Sequence, residues 1–265
     1  MKISVITVCY NAEKEIEKTL SSVIKQNYND FEYIVVDGNS TDRTMDIIND
    51  YSNHITKVLS EPDTGIYNAM NKGVRLATGK YCIFMNAGDS FLNKNVLSEV
   101  NKYLAADIDI ISGNNIITSN NKLIAYSKPP KIITFNYLFN SSLCHQSTFI
   151  KRQLLIDNPY DETLRMVSDW KFWIQTLIFK NSSYLPIDVN ICDFDGRGIT
   201  YTQSEKGNIE RNIVFQELMP QRIIDDYISY SQQFKKKFMT RLKRKILFFL
   251  SYYSFKLKHK KEYNV

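Results

Sequence analysis

The chain has 265 residues, 43% hydrophobic and 13% aromatic, enough for a sizeable core in one large domain or one domain with an appendage. Only 9 glycines and 6 prolines exclude a low-complexity or fibrous chain, and no stretch approaches the roughly 20 apolar residues that span a bilayer. The formal charge of +6 is uneven: residues 235–265 hold 11 of the 34 Lys and Arg and 1 of the 28 Asp and Glu, a net +10, so the preceding residues, with 23 bases and 27 acids, carry −4.

Residues 3–8 form an apolar run ahead of a polar turn at Tyr10 and Asn11. The run is read as a first strand rather than a leader, because charged Glu13, Lys14 and Glu15 follow and no small-residue cleavage site does. Ile16, Leu20, Val23 and Ile24 share one helical face, predicting a helix from about residue 13. Residues 31–36 predict a second strand ending on Asp37, and Thr41 or Asp42 caps the helix expected after it. A third strand is expected over 55–59, then a helix containing Ala69, Val74 and Leu76. A fourth, over 81–85, stops at Asn86-Ala87-Gly88-Asp89. Near-continuous apolar strands alternating with helices predict a parallel sheet covered on both faces.

The second half differs. Residues 109–118 and 123–127 predict a hairpin around Asn120-Asn121, and Pro129-Pro130 punctuates the chain. A strand over 147–151 and a helix over 168–179 follow. Asp195-Gly196-Arg197-Gly198 has loop composition. Two helical stretches are expected, 207–230 with a break at Pro220, and 234 to about 258. Cys9, Cys82, Cys144 and Cys192 are far apart, which argues against a zinc or disulfide framework and suits a cytoplasmic protein.

Ligands of open parallel sheets sit at the carboxyl ends of the strands. Thr7, Tyr10 and Asn11 end the first strand, where Tyr10 could stack on a base and Thr7 bond its edge. Asp37 ends the second, where a carboxylate can accept from a base N–H or a ribose hydroxyl; Asp37-Gly38-Asn39-Ser40 equally has the composition of a turn before a helix. Asp89 ends the fourth, where a carboxylate can hold a cation bridging two phosphates; Asn86 to Asp89 is also ordinary turn composition. The glycine-rich and Walker-lysine phosphate loops are absent.

Taken in order, Ser4-Val5-Ile6-Thr7, Val36-Asp37-Gly38 with Ser40-Thr41-Asp42, residues 65–73, and Ala77-Thr78-Gly79-Lys80-Tyr81 leading to Asn86-Ala87-Gly88-Asp89 resemble the family 2 glycosyltransferases. These are inverting, nucleotide-sugar-dependent enzymes of GT-A fold, and the likeness is to bacterial members that build O-antigen, capsule or exopolysaccharide. It covers about residues 1–115 strongly and 140–200 loosely. It implies an α/β, Rossmann-like sandwich with a mostly parallel central sheet and a C-terminal helical extension. Residues 1–205 would be the catalytic domain, with a nucleotide-binding half (1–91) and an acceptor-binding half (92–205), and residues 206–265 the C-terminal helices.

The resemblance implies a donor-binding set of Thr7, Tyr10, Asn11, Asp37, Asp63, Asn71, Lys72, Asn86 and Arg197. Asp37 corresponds to the base-binding aspartate, and Asp89 to the last acid of the DxD-type motif, holding Mn²⁺ or Mg²⁺. Asn86 replaces that motif's first acid, leaving the metal to Asp89. Met70 stands where many relatives carry Arg, with Lys72 or Arg75 as substitutes. An inverting transfer needs a general base beside the acceptor hydroxyl, and the family's acid at a helix start matches Asp169. Ser168 and Asp169 acting as a helix cap is the plainer alternative. His145 and Trp170 are expected at the acceptor, with a buried structural histidine as the alternative for His145. Trp173 reads as core with Leu177. Arg197 faces the phosphates from a closing loop, or is an exposed loop arginine.

The expected reaction moves one sugar from a nucleotide sugar, UDP-linked, to a lipid-linked (undecaprenyl-diphosphate) or oligosaccharide acceptor. The signature of polymerising relatives is absent, so transfer stops at one sugar. The tail mixes Lys and Arg with Phe238, Leu242, Ile246, Leu247, Phe248, Phe249 and Leu250, as a basic helix on the cytoplasmic face of the inner membrane would. An oligomer interface or a solvated helix are its alternatives. Nucleic acid is not expected, because the aromatics cluster in one apolar run. A nucleotidyltransferase would carry a glycine-rich loop where Tyr10-Asn11-Ala12-Glu13 stands. Asn86 and Met70 keep open a catalytically impaired nucleotide-sugar-binding scaffold, against which Asp37, Asp89 and Asp169 together argue.

Overall fold

The computed structural model describes residues 3–119, 122–195, 204–230 and 232–233. The chain divides into two units, Met1–Arg211 and Asn212–Val265. The first begins with β1 (Ile3–Cys9), buried at all seven residues. α1 (Ile16–Ile24), β2 (Phe31–Asp37), α2 (Thr44–Asp50), β3 (Lys57–Ser60), α3 (Ile66–Leu76) and β4 (Tyr81–Phe84) follow. β2 and β4 flank β1 in parallel, and β3 lies parallel outside β2. β1, β2 and β4 are almost wholly buried because both sheet faces are covered, whereas the edge strand β3 alternates half-buried and exposed residues.

Alternation along the strands sorts side chains between two cores. Val5, Tyr33, Val35 and Ile83 join Ile16, Leu20 and Val23 of α1, and Val96, Leu97 and Val100 of α4 (Val96–Leu104). On the other face, Gly73 of α3 packs against Ile6 and Val36. Tyr160 anchors that side, its ring 5.5–5.6 Å from those of Tyr67, Phe84 and Phe172.

Beyond β4 the pairings change direction. β5 (Ser90–Phe91), β6 (Ile110–Ser119), β7 (Lys122–Ser127), α5 (Phe135–Asn140), β8 (Thr148–Lys151), α6 (Arg152–Asp157), α7 (Ser168–Trp173) and β9 (Tyr184–Asp195) complete the order. β8 pairs antiparallel with both β4 and β6, whereas β9 runs parallel to β6 and antiparallel to β5. The strand order is β3-β2-β1-β4-β8-β6-β9-β5, with β7 on β6. The register of β6 against β9 slips at Gly113, where an added Cβ would stand 2.7 Å from the Val189 carbonyl.

The expected hairpin is β6–β7, and its turn at Asn120-Asn121 lies outside the described residues. The expected helix over 168–179 is α7 continued by a π-helical turn, Ile174–Phe179. The first two helices start three residues later than expected. Asp42 still takes the Thr44 N–H at 3.0 Å, as a cap does. α4 and β9 were not expected. Pro186 interrupts the apolar alternation of β9 and pairs with Ser112, next to the slip. α8 (Ser204–Leu218) enters the second unit, and a further helical stretch over 221–230 begins after Pro220. No helix among the described residues is long and apolar enough to cross a membrane.

One buried carboxylate ties β1, β2 and the α3–β4 loop. Glu32 Oε1 accepts from the Ser4 hydroxyl at 2.6 Å, the Thr78 N–H at 2.5 Å, the Thr78 hydroxyl at 2.9 Å and the Gly79 N–H at 3.0 Å. Burial would raise its pKa, but these donors outweigh burial and hold it below the ordinary glutamate value. A lowered folded pKa contributes stability above the unfolded value near 4.5 that is lost as pH falls through the folded one. Glu32→Gln is therefore expected to lower the melting temperature at pH 7 and to show a smaller acid-induced decline below pH 4.5 than wild type, read by calorimetry.

Candidate active site

Two cavities lie toward the carboxyl ends of the parallel strands. One, of about 420 Å³, is lined by Tyr10, Asn11, Glu15, Asp63, Gly65, Asn86 and Ala87, among others. Its walls are the β1–α1 loop, the α3 N-terminus and the turn after β4. Tyr10 is 61% exposed, so its ring face is free to stack. Asn11, at φ 47°, sets its Oδ1 to accept from the Thr41 N–H at 2.9 Å, and its N–H donates to Ser40 Oγ at 2.8 Å. The first two strand-to-helix loops are thus laced together. Asp63 Oδ1 accepts from the Gly65 N–H at 2.8 Å and stays at the cavity wall.

The second cavity, of about 310 Å³, is lined by Ser112, Asn115, Lys128, Tyr137, His145 and Asp169, among others. Asp169 stands in the first turn of α7. It does not cap that helix; both its oxygens reach across the fold. Oδ1 accepts from the Tyr67 hydroxyl of α3 at 3.0 Å, and Oδ2 from His145 Nδ1 at 3.0 Å. His145 Nε2 lies 3.2 Å from Asn86 Nδ2, so a polar chain Tyr67–Asp169–His145–Asn86 runs from one cavity to the other.

Burial lowers the His145 pKa, but the hydrogen bond and charge of Asp169 outweigh it and hold the imidazole above its ordinary value. Asn86 Oδ1 is buried without a partner. An imidazolium donates from both nitrogens, and turning the Asn86 amide over would bring Oδ1 onto Nε2–H, satisfying both.

Asp89, 8% exposed, has its pKa pushed up to about 6 by burial, against the opposing influence of His145 and Gln146. No group of three or more His, Cys, Asp or Glu among the described residues is placed to hold a metal ion alone. One buried carboxylate short of countercharge still fits a hard divalent cation whose other ligands are phosphates and water.

Several expected donor and acceptor residues are spent inside the fold. Thr7 is fully buried, its hydroxyl donating to the Met85 carbonyl at 2.7 Å and 2.9 Å from the Tyr33 hydroxyl. Asp37 is fully buried and accepts from Ser40 N–H at 3.0 Å, Ser40 Oγ at 2.5 Å and Ser60 Oγ at 2.7 Å, as a turn carboxylate does. Asn71 clamps the backbone of Tyr160, donating to its carbonyl at 2.8 Å and accepting from its N–H at 3.0 Å. Lys72 is taken by Glu61 and the Pro62 carbonyl, both at 2.8 Å. Trp170 is core: its indole N–H donates to the Leu138 carbonyl at 2.7 Å, and Arg211 stacks on its ring. Trp173 is buried, as expected.

Met70 is fully buried, so that position points into the core rather than the cavity. Arg75 sits at the far end of α3, about 13 Å along the axis from its start. Arg197 lies outside the described residues. Sequence reasoning missed Tyr67, which reads as one more apolar residue of α3 and meets Asp169 only after 102 residues of chain.

The family model described as Glycosyl transferase family 2 matches residues 4–158. The chain is 29% identical over 222 residues to the PGL/p-HBAD biosynthesis glycosyltransferase Rv2957 of Mycobacterium tuberculosis, covering 82% of each. It is 29% identical over 183 residues to the Escherichia coli UDP-Glc:alpha-D-GlcNAc-diphosphoundecaprenol beta-1,3-glucosyltransferase WfgD, covering 68% of this chain and 72% of that protein. Among solved structures, S. aureus TarS 1–349 with UDP-GlcNAc superposes with a TM-score of 0.63 at 24% identity, over 77% of this chain and 61% of that one. Glucosyl-3-phosphoglycerate synthase from Mycobacterium tuberculosis, with Mn²⁺, UDP and glucosyl-3-phosphoglycerate, does so at 0.58 and 15% identity, over 83% and 81%. The likeness to these two is one of fold, the α/β GT-A arrangement with a mixed sheet.

The His145–Asp169 pair stabilises the fold fully below about pH 6.5, and that contribution fades as pH rises through the folded histidine value. In an NMR titration, Asp169→Asn is expected to move the His145 midpoint down, because the largest influence opposing burial is then removed. An unchanged midpoint would contradict the pairing.

Proposed function

The chain belongs to glycosyl transferase family 2, and on that premise we propose that it moves one sugar from a UDP-sugar to a lipid-linked or oligosaccharide acceptor, with inversion at the anomeric carbon. The observation that carries this is the Asp169 carboxylate, facing one cavity and tied through His145 to Asn86 in the wall of the other. A donor in the larger cavity and an acceptor in the smaller would meet there.

Asp169 takes the proton of the attacking hydroxyl as the new carbon–oxygen bond forms and the bond to the nucleoside diphosphate breaks. A carboxylate has about four lone-pair sites, and Tyr67 and His145 occupy two of them. Those two bonds fix its orientation. The hydrogen bond and charge of Asp169 raise the His145 pKa above its ordinary value, so the imidazole gives up its proton less readily than a free histidine. Tyr10 stacks on the base, while Asn11 and Asp63 bound the donor. Asp89, with Asn86 beside it, would hold Mn²⁺ or Mg²⁺, which supplies charge to offset the leaving diphosphate.

Support for the donor and metal comes from the UDP, UDP-GlcNAc and Mn²⁺ held by structures of the same fold. Support for a lipid-linked acceptor comes from WfgD, whose substrate is a diphosphoundecaprenol-linked sugar. Residues 1–91 would then serve the donor and 92–205 the acceptor. The basic segment 235–265, outside the described residues, would bring the site to the cytoplasmic face of an anionic membrane.

A thermal-shift panel of nucleoside diphosphates and their sugars, with and without Mn²⁺, tests the reading. UDP species at 100 times Kd are expected to add about 2.7 kcal/mol and raise the melting temperature by about 5–10 °C, with Mn²⁺ required for most of the rise. Asp89→Ala is expected to lose the Mn²⁺-dependent part. A rise with GDP or dTDP species alone would change the donor, and no rise with any nucleotide would contradict the function.

A further inference from the structure

A nucleoside diphosphate brings at least two negative charges into its cavity. The described residues lining the larger cavity include Glu15 and Asp63 but no Lys or Arg. Lys72 is already neutralised by Glu61, and Lys18 by Asp193. A divalent cation at Asp89 would offset part of this excess. A guanidinium at the rim offers the rest.

Arg165 lies in the loop ahead of α7, four residues before Asp169. Its backbone is fixed: the Arg165 and Met166 N–H groups donate to the two carboxylate oxygens of Glu210, each at 2.8 Å. Its side chain is exposed and reaches Gly65, a lining residue of the cavity, where Nη1 donates to the Thr64 carbonyl. A Cβ on residue 65 would fall on that guanidinium, and φ there is +138°, a conformation that glycine adopts freely. Gly65 thus makes room for the arginine. No carboxylate pairs with Arg165 among the described residues, and four of its five N–H donors are unused.

We propose that Arg165 binds the donor's diphosphate at the Gly65 rim, its guanidinium exchanging the Thr64 carbonyl for phosphate oxygens. This rests on the reading of the larger cavity as a nucleotide-sugar site. A planar fork of N–H donors matches two phosphate oxygens at once, and a bare carbonyl partner is released at little cost. Because Arg165 and Asp169 share one short stretch anchored by Glu210, the residue that grips the departing diphosphate is braced with the residue that takes the acceptor proton.

Calorimetric titration of UDP and of UMP, both with Mn²⁺, into wild type, Arg165→Ala and Arg165→Lys tests this. Arg165→Ala is expected to weaken UDP about 10–100-fold and UMP less than about threefold, with Arg165→Lys recovering part of the loss. UDP affinity within about twofold of wild type in Arg165→Ala would overturn the proposal, as would equal losses for UDP and UMP in both variants. Failure of wild type to bind UDP, GDP or dTDP would overturn the reading of the cavity itself, and the proposal with it.

Discussion

Asp169 accepts hydrogen bonds from two side chains that stand 102 and 24 residues away in the chain. Holding Tyr67 and His145 each 3.0 Å from one carboxylate depends on how the strands are ordered. β4 runs out toward the cavities, and Asn86 follows two residues past its end. β8 lies antiparallel beside it, with Tyr81 opposite Lys151 and Cys82 opposite Ile150. Continuing that register brings the end of β4 level with the start of β8, where His145 stands. Had β8 entered parallel, as β2 and β4 do beside β1, His145 would lie at the opposite edge of the sheet. The change of direction after β4 is therefore what assembles the polar chain.

The same geometry sets the electrostatics. Asp89 and Asp169 are both largely withdrawn from water. Asp169 has a partner in His145, whose proton it stabilises in turn. Asp89 is less well supplied, and burial pushes it up to about 6. The larger cavity is lined by Glu15 and Asp63 and, among the described residues, by no Lys or Arg, which suits a ligand that arrives with a cation and is met by a guanidinium. Asn86 fits this economy. An acid at that position would add another buried charge, whereas an amide can face a histidine in either protonation state.

Local sequence pattern was enough for the parallel half. Apolar runs of strand length, helical periodicity and turn residues placed β1 to β4 and their helices within a few residues, since each signal is short-range. β9 escaped because Pro186 breaks its alternation and its pairing depends on β6, about 75 residues earlier. The family resemblance pointed to Asp169 and Asp89, and residue type to His145, one at a time, but none of these signals pointed to the contact between Asp169 and His145. Where residue type misled, a distant partner had taken the group: Tyr160 for Asn71, Met85 for Thr7, Leu138 for Trp170. Polar side chains at strand ends serve the loops as readily as a ligand, and only the partner distinguishes the two uses. Arg165 had no sequence signal at all, since its meaning lies in the missing side chain of Gly65.

Asp169 as the proton acceptor beside a pre-built donor site is the centre of the proposed mechanism. The most direct test is single-turnover sugar transfer by Asp169→Asn, with donor affinity measured on the same preparation. The expected result is a transfer rate lower by about 10²–10⁴-fold with donor affinity within about threefold of wild type. Transfer at near wild-type rate, or loss of donor binding along with transfer, would contradict it.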